Sequence, residues 1–330
     1  MLVGMTFLLI ATYLLLGGVT VANTALTNMA DLVPVKLAEQ GMNGWTVMPD
    51  LGSPIWYTVI TTLVLGVGIG VLAQPQLVVR FMTAKDNRSL NRAVLVGGPF
   101  ILMMTGVAFT VGALTNVYFY QTQGKIAAQV ATAGNIDTII PIFINSAMPE
   151  WFVVLFMVTL LAAAMSTLSS QFHAMGTALI CDVWGRGREC ALSLRANQAG
   201  VLAMIVISVI IAFLMPGSII AIATAMFMGL CASAFLPIFA VAVYCKRPDP
   251  LAAKASLVIG ALAWFIWAFF VNTKYAAVFG LSKALLGTVG VLAYPWSAID
   301  PIVIALPLSA ITILSLQYLR GGCAPGAQTA

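Results

Sequence analysis

"LLAAAMSTLSSQ", residues 160–171, places four hydroxyls, on Ser166, Thr167, Ser169 and Ser170, inside a stretch with no Asp, Glu, Lys or Arg between Glu150 and Asp182. A run of that length reads as a membrane span, because about 20 apolar residues in a helix cross the hydrocarbon core. The rest of the chain is built alike. Of its 330 residues 61% are hydrophobic and only 8% are charged, against roughly a quarter charged in soluble domains. Polar surface is too scarce to face water on all sides. Runs of this length fit helices, whereas barrel strands would alternate over about 10 residues. The fold class is therefore all-α integral membrane.

Eight apolar segments can be marked, at 1–22, 53–76, 93–118, 151–181, 196–215, 218–245, 253–272 and 298–319. An even number puts both termini on one side. One set of loops, with the C-terminal end, holds Arg80, Lys85, Arg88, Arg92, Arg186, Arg188, Arg195, Lys246, Arg247, Lys254 and Arg320, and the other holds Lys36, Lys125, Lys274 and Lys283. The positive-inside rule then makes both termini cytoplasmic. The same scatter of cations over loops accounts for the net charge of +5 without a nucleic-acid partner. The stretch 275–296, apolar apart from Lys283 and punctuated by glycines, reads as external or re-entrant, and 137–150 as a covering loop or a short surface helix. Five cysteines without CxxC spacing give no zinc-site pattern.

Residues three and four places along a helix lean back over the carbonyl of the first. The hydroxyls of Ser166 and Thr167 thus converge on the carbonyl of Ala163, near the bilayer centre. Such a face has two readings. It glues one helix to another through its small residues, or it offers neutral oxygens to a monovalent cation, for which sodium is the natural candidate. With no carboxylate beside it, Ca²⁺ and Mg²⁺ do not suit.

A second feature is "GVGIGVLAQPQLVVRF", residues 66–81, with Gly66, Gly68 and Gly70 at alternate positions before Gln74 and Pro75. Three glycines cost roughly 2–3 kcal/mol of helix propensity, and proline breaks the helix further. Interrupted membrane helices mark the sites of secondary transporters; close glycine packing is the competing reading. His173, the one histidine, reads as a structural or pore-edge residue, since a proton relay needs a carboxylate partner and none was found in the spans. For the same reason, and for want of an activated nucleophile or metal cluster, an enzyme is not expected.

Taken together, "GVGIGVLAQPQLVVRFMTAKDNRS", "LLAAAMSTLSSQ" with the following "CDVW", and "FLPIFAVAVYCKRPDPLAAKASLVIGALAW" resemble the sodium:solute symporter family of proline, pantothenate, monocarboxylate and glucose carriers. The resemblance implies an inverted-repeat bundle in which segment 1–22 is the fifth core helix, 53–76 to 218–245 are core helices six to ten, and two further helices follow. It implies Na⁺ as the co-transported ion, held by Ala163, Ser166 and Thr167 on the eighth core helix. It also implies a solute-lining sixth core helix with Gly66, Val67, Gly68, Gly70, Val71 and Gln74. Proline carriers place aromatics where Val67 and Val71 stand, so the solute, a small organic acid or amino acid, stays open. Core helices one to four have no counterpart here. The expectation is an incomplete inverted-repeat transporter of about eight helices, a truncated C-terminal part. The alternatives are one subunit of a split transporter completed by a separately encoded N-terminal half, or a non-transporting sensor or remnant. Its partners would be the lipid bilayer and a small-molecule solute.

Overall fold

In a computed structural model, residues 2–184, 194–215, 220–245 and 247–320 are described; Arg186, Arg188 and Lys246 of the basic loop set lie outside them. Among these residues there is no strand, and seven helices are long and apolar enough to cross a membrane. They are α3 (Pro54–Leu72), α5 (Asn87–Gln123), α7 (Glu150–Trp184), α8 (Leu194–Leu214), α9 (Ile220–Tyr244), α10 (Pro250–Val271) and α13 (Ile302–Leu319). Shorter helices include α1 (Leu2–Leu15), α2 (Val19–Asn28), α4 (Pro75–Met82), α6 (Ile139–Ala147), α11 (Thr273–Phe279) and α12 (Leu281–Leu286), beside single turns such as Val35–Ala38 and Ala127–Val130.

Segment 1–22 is not one straight span. Gly17 and Gly18 adopt φ of 85° and 104°, a left-handed conformation that side chains resist, and α2 leaves α1 at an angle of 73°. Counted as one broken crossing, the pair gives eight. The stretch 275–296 forms only α11, α12 and coil, too short to cross. The helix ends follow local chemistry. Asp86 caps α5 by accepting from the Ser89 N–H at 2.6 Å, and left-handed Gly124 closes it. Asp249 caps α10, with Pro250 in the first turn where its missing N–H costs nothing.

The chain divides into two compact units, residues 1–29 with 86–218, and residues 30–85 with 219–330. In the first, α1 and α2 pack on α5, and α7 packs on α8. Its core joins Leu8, Val111, Phe119, Phe143 and Phe152 from α1, α5, α6 and α7. The α7–α8 crossing is a glycine contact, since a Cβ on Gly176 would sit 2.7 Å from the Val201 backbone nitrogen. That is the small-residue packing expected where lipid removes the hydrophobic drive between helices.

In the second unit α9, α10 and α13 pack mutually, and α3 lies along α9. A Cβ on Gly260 would come within 2.3 Å of the Ser233 carbonyl oxygen, so glycine lets α10 touch the α9 backbone. Beside it the buried Ser256 and Ser309 hydroxyls meet at 2.9 Å, and each also lies within donating distance of the other's carbonyl, at 3.0 and 3.2 Å, so their two protons are shared among these contacts. At the other end Gln317 on α13 is 1% exposed. Its amide donates to the Arg247 carbonyl at 2.6 Å, and its oxygen accepts from the Asp249 N–H at 2.9 Å. This satisfies two loop groups from within the bundle.

Candidate functional site

The hydroxyl stretch lies on α7, in the first unit. The Thr167 hydroxyl donates to the Ala163 carbonyl at 3.0 Å, and the Ser170 hydroxyl donates to the Thr167 carbonyl at 2.8 Å. Ala163 is half-buried, while Ser166 and Thr167 are exposed. Among the described residues no hydrogen bond engages the Ser166 hydroxyl. The Ser166 and Thr167 hydroxyls keep free lone pairs, because a hydroxyl that donates still accepts, whereas the Ala163 carbonyl already takes the Thr167 hydroxyl beside its helical N–H. The helix thus presents neutral oxygen ligands on an open face. No group of three or more His, Cys, Asp or Glu that could hold a metal occurs among the described residues, and this neutral set suits a monovalent cation rather than Ca²⁺ or Mg²⁺. His173, further along α7, is exposed on an open groove that it lines with Asn197, Gln198 and Val201.

The glycine-rich stretch lies on α3, in the second unit. Ser53 caps the helix by accepting from the Trp56 N–H at 3.2 Å, and Pro54 occupies its first turn. The expected interruption at the glycines takes another form. Thr58–Val67 winds as a π-helix, Gly68–Leu72 returns to α-helix, and the chain breaks only at Ala73 and Gln74 before Pro75. Such wide turns favour functional positions. The glycines separate into two roles. Gly66 and Gly70 are buried, and a Cβ on Gly70 would lie 2.5 Å from the Met228 carbonyl oxygen of α9. Gly68 is exposed with nothing within 4 Å of a Cβ. Val67 and Val71 are half-buried, and Gln74 is 7% exposed with its oxygen accepting from the Gln76 amide at 3.1 Å. The six positions therefore do not share one face.

One polar centre was missed in the sequence. Asp300 precedes α13, within the apolar segment 298–319, and is 1% exposed. Its Oδ2 accepts from the Tyr275 hydroxyl at 2.6 Å, its Oδ1 accepts from the Ile302 N–H at 3.1 Å, and its own N–H donates to Thr61 Oγ1 at 3.1 Å. Thr61 in turn donates to the Tyr57 carbonyl at 2.6 Å. Asn272 fixes the approach, donating to the Ile299 carbonyl at 3.0 Å and accepting from the N–H groups of Lys274 and Tyr275. The Trp264 indole N–H is buried with no partner among the described residues. The available signal was an Asp-Pro pair opening an apolar run, a helix-start pattern, in a segment otherwise without acid.

Comparison with known proteins gives the following. The family model for the sodium:solute symporter family matches residues 1–260. The chain is 28% identical over 212 residues to the high-affinity proline transporter PutP of Bacillus subtilis, covering 61% of this chain and 42% of that protein. It is 25% identical to a sodium/pantothenate symporter of Haemophilus influenzae, covering 79% of this chain and 50% of the other. It is likewise 25% identical to a sodium/proline symporter of Staphylococcus aureus, covering 78% and 52%. The chain spans about half the length of the curated relatives it matches. No solved structure matches it at a significant level.

Proposed function

Since the chain belongs to the sodium:solute symporter family, we propose that it works in sodium-coupled uptake of a small organic solute across a membrane. The observation that carries this reading is the oxygen set on α7, half-buried Ala163 with exposed Ser166 and Thr167, on a helix free of charge at its middle. Three neutral oxygens from one helix leave a sodium ion short of ligands, so further ligands must come from an element that covers this face of α7. The exposure of Ser166 and Thr167 favours such a covering element over helix glue inside this chain. The eleven-to-four split of basic residues between loops supports cytoplasmic termini.

In this scheme α3 lines the solute path on the faces of Val67, Gly68 and Val71, while Gly66 and Gly70 hold the helix to its neighbours. Sodium from outside binds first and stabilises the state open to solute; closure and rocking then open both to the cytoplasm. One ion moving down the potential supplies about 2.3 kcal/mol per 100 mV. Each tenfold of solute accumulation costs about 1.4 kcal/mol, so one sodium suffices for more than tenfold. The relatives named for proline and pantothenate support an amino acid or small organic acid as the solute class. With Val67 and Val71 where proline carriers place aromatics, no one solute is singled out.

The test is uptake of labelled solutes into vesicles carrying the protein with whatever accompanies it in native membranes. Uptake should follow an imposed sodium gradient and vanish when potassium replaces sodium. Vesicles containing residues 1–330 alone should show none. Sodium-driven flux by that chain alone would refute the shared cage, and flux indifferent to sodium would refute symport.

A further inference from the structure

Asp300 has no role in the scheme above, yet it is among the most enclosed polar groups in the protein, and it touches the helix read as solute-lining. We propose that Asp300 is a positioning residue that pins the π-helical part of α3 to the α9–α10–α13 bundle. This rests on the reading of α3 as the solute helix.

Three contacts carry the inference. First, the Asp300 N–H donates to Thr61 Oγ1 at 3.1 Å, placing a backbone bond from the α13 loop onto the middle of the π-helix. Second, the carboxylate is anchored on both oxygens, by the Tyr275 hydroxyl at 2.6 Å and the Ile302 N–H at 3.1 Å. The loop that makes the Thr61 bond therefore cannot drift. Third, two glycines flank the carboxylate. A Cβ on Gly66 would lie 3.8 Å from Asp300 Oδ1, and one on Gly229 would lie 3.5 Å from the same oxygen, both ordinary contact distances, so the carboxylate lies beside α3 and α9. The Trp264 N–H of α10, without a partner among the described residues, lies 3.2 Å from the same Gly229 Cβ position.

A buried carboxylate is costly unless its hydrogen bonds are satisfied, and an apolar residue would close this junction without that cost. What Asp300 adds is direction. It joins α3, α11 and α13 at one residue and fixes the turn of α3 on which Gly66 sits. A helix held in its binding-competent position binds solute with its intrinsic affinity. One that wanders binds more weakly in proportion to the time it spends elsewhere, with little change in maximal rate.

The experiment has two readouts. Hydrogen–deuterium exchange of the complete chain in lipid nanodiscs is compared for the native protein, Asp300→Ala, Asp300→Asn and Thr61→Val. Loss of a hydrogen bond to a charged group amounts to about tenfold or more, so Asp300→Ala should speed exchange in peptides covering 58–67 by about that factor. Peptides of α10 and α13 should change little. Asp300→Asn keeps an acceptor for Ile302 and a polar partner for Tyr275, and should restore most of the protection. Thr61→Val removes the acceptor of the Asp300 N–H together with the hydroxyl's own bond to the Tyr57 carbonyl, and should loosen the same peptides without unfolding the unit. Unchanged exchange in 58–67 for both Asp300→Ala and Thr61→Val, or an equal rise throughout the unit, would overturn the proposal.

The second readout is uptake by the native assembly in vesicles. Asp300→Ala should raise the half-saturating solute concentration about tenfold with maximal rate nearly kept; a lowered maximal rate at unchanged half-saturation would overturn the positioning role. If the native assembly shows no sodium-driven uptake, the transport reading fails while the exchange result still decides whether Asp300 pins α3.

Discussion

Alanine substitutions at Gly70 and Gly68 should part company although the two stand two residues apart in α3. At Gly70 the new methyl would meet the Met228 carbonyl oxygen at 2.5 Å, its carbon at 2.6 Å and the Met228 Cβ at 2.7 Å. Backbone atoms of a packed helix cannot turn aside, so α3 must lift off α9. At Gly68 the same methyl meets nothing within 4 Å. Both variants gain about 0.8–1 kcal/mol of helix propensity over glycine, so this gain cancels between them. What remains is the overpacking cost at Gly70, about 1–3 kcal/mol. Denaturant titration of the purified chain in detergent micelles, followed by helical circular dichroism, measures the difference directly. Gly68→Ala should unfold at or above the native midpoint and Gly70→Ala clearly below it. Equal midpoints would refute the division of the glycines into a packing face and an open one.

Other outcomes follow from named contacts. The Ser256 and Ser309 hydroxyls should couple by roughly 0.6 kcal/mol, the average for polar pairs between membrane helices, in a double-mutant cycle of the two alanine variants read by the same titration; strict additivity would contradict the hydroxyl pair. A cysteine placed at Thr288, between α12 and the approach to α13, should react with an impermeant maleimide added from outside intact cells, and labelling only after permeabilisation would reverse the orientation.

Much of the fold was legible because membrane helices announce themselves by length and lack of charge. Segments 196–215 and 218–245 became Leu194–Leu214 and Ile220–Tyr244, within a few residues, since charges or a glycine–proline pair bound them. The break at Gly17–Gly18 was not seen, because two adjacent glycines inside an apolar run look alike whether they pack or bend; only their positive φ separates the cases. The π-winding of Thr58–Val67 leaves no mark in composition either. The six candidate lining positions of α3 fall on different faces because they include the successive residues 66, 67 and 68, which stand about 100° apart round a helix. Helical spacing alone brought the Thr167 hydroxyl onto the Ala163 carbonyl, and that bond is present; the choice of Ala163, Ser166 and Thr167 as a sodium set came from the family resemblance. Asp300 escaped because its partners, Thr61 and Tyr275, stand 239 and 25 residues away in sequence.

The most direct test of sodium coupling through α7 is the sodium dependence of uptake by the native assembly with Thr167→Ala. Removing one of a few neutral ligands should raise the sodium concentration for half-maximal uptake at least tenfold, a cost of about 1.4 kcal/mol, while excess sodium restores the rate. Uptake that keeps its native sodium dependence without the Thr167 hydroxyl would contradict the assignment of the ion to this helix.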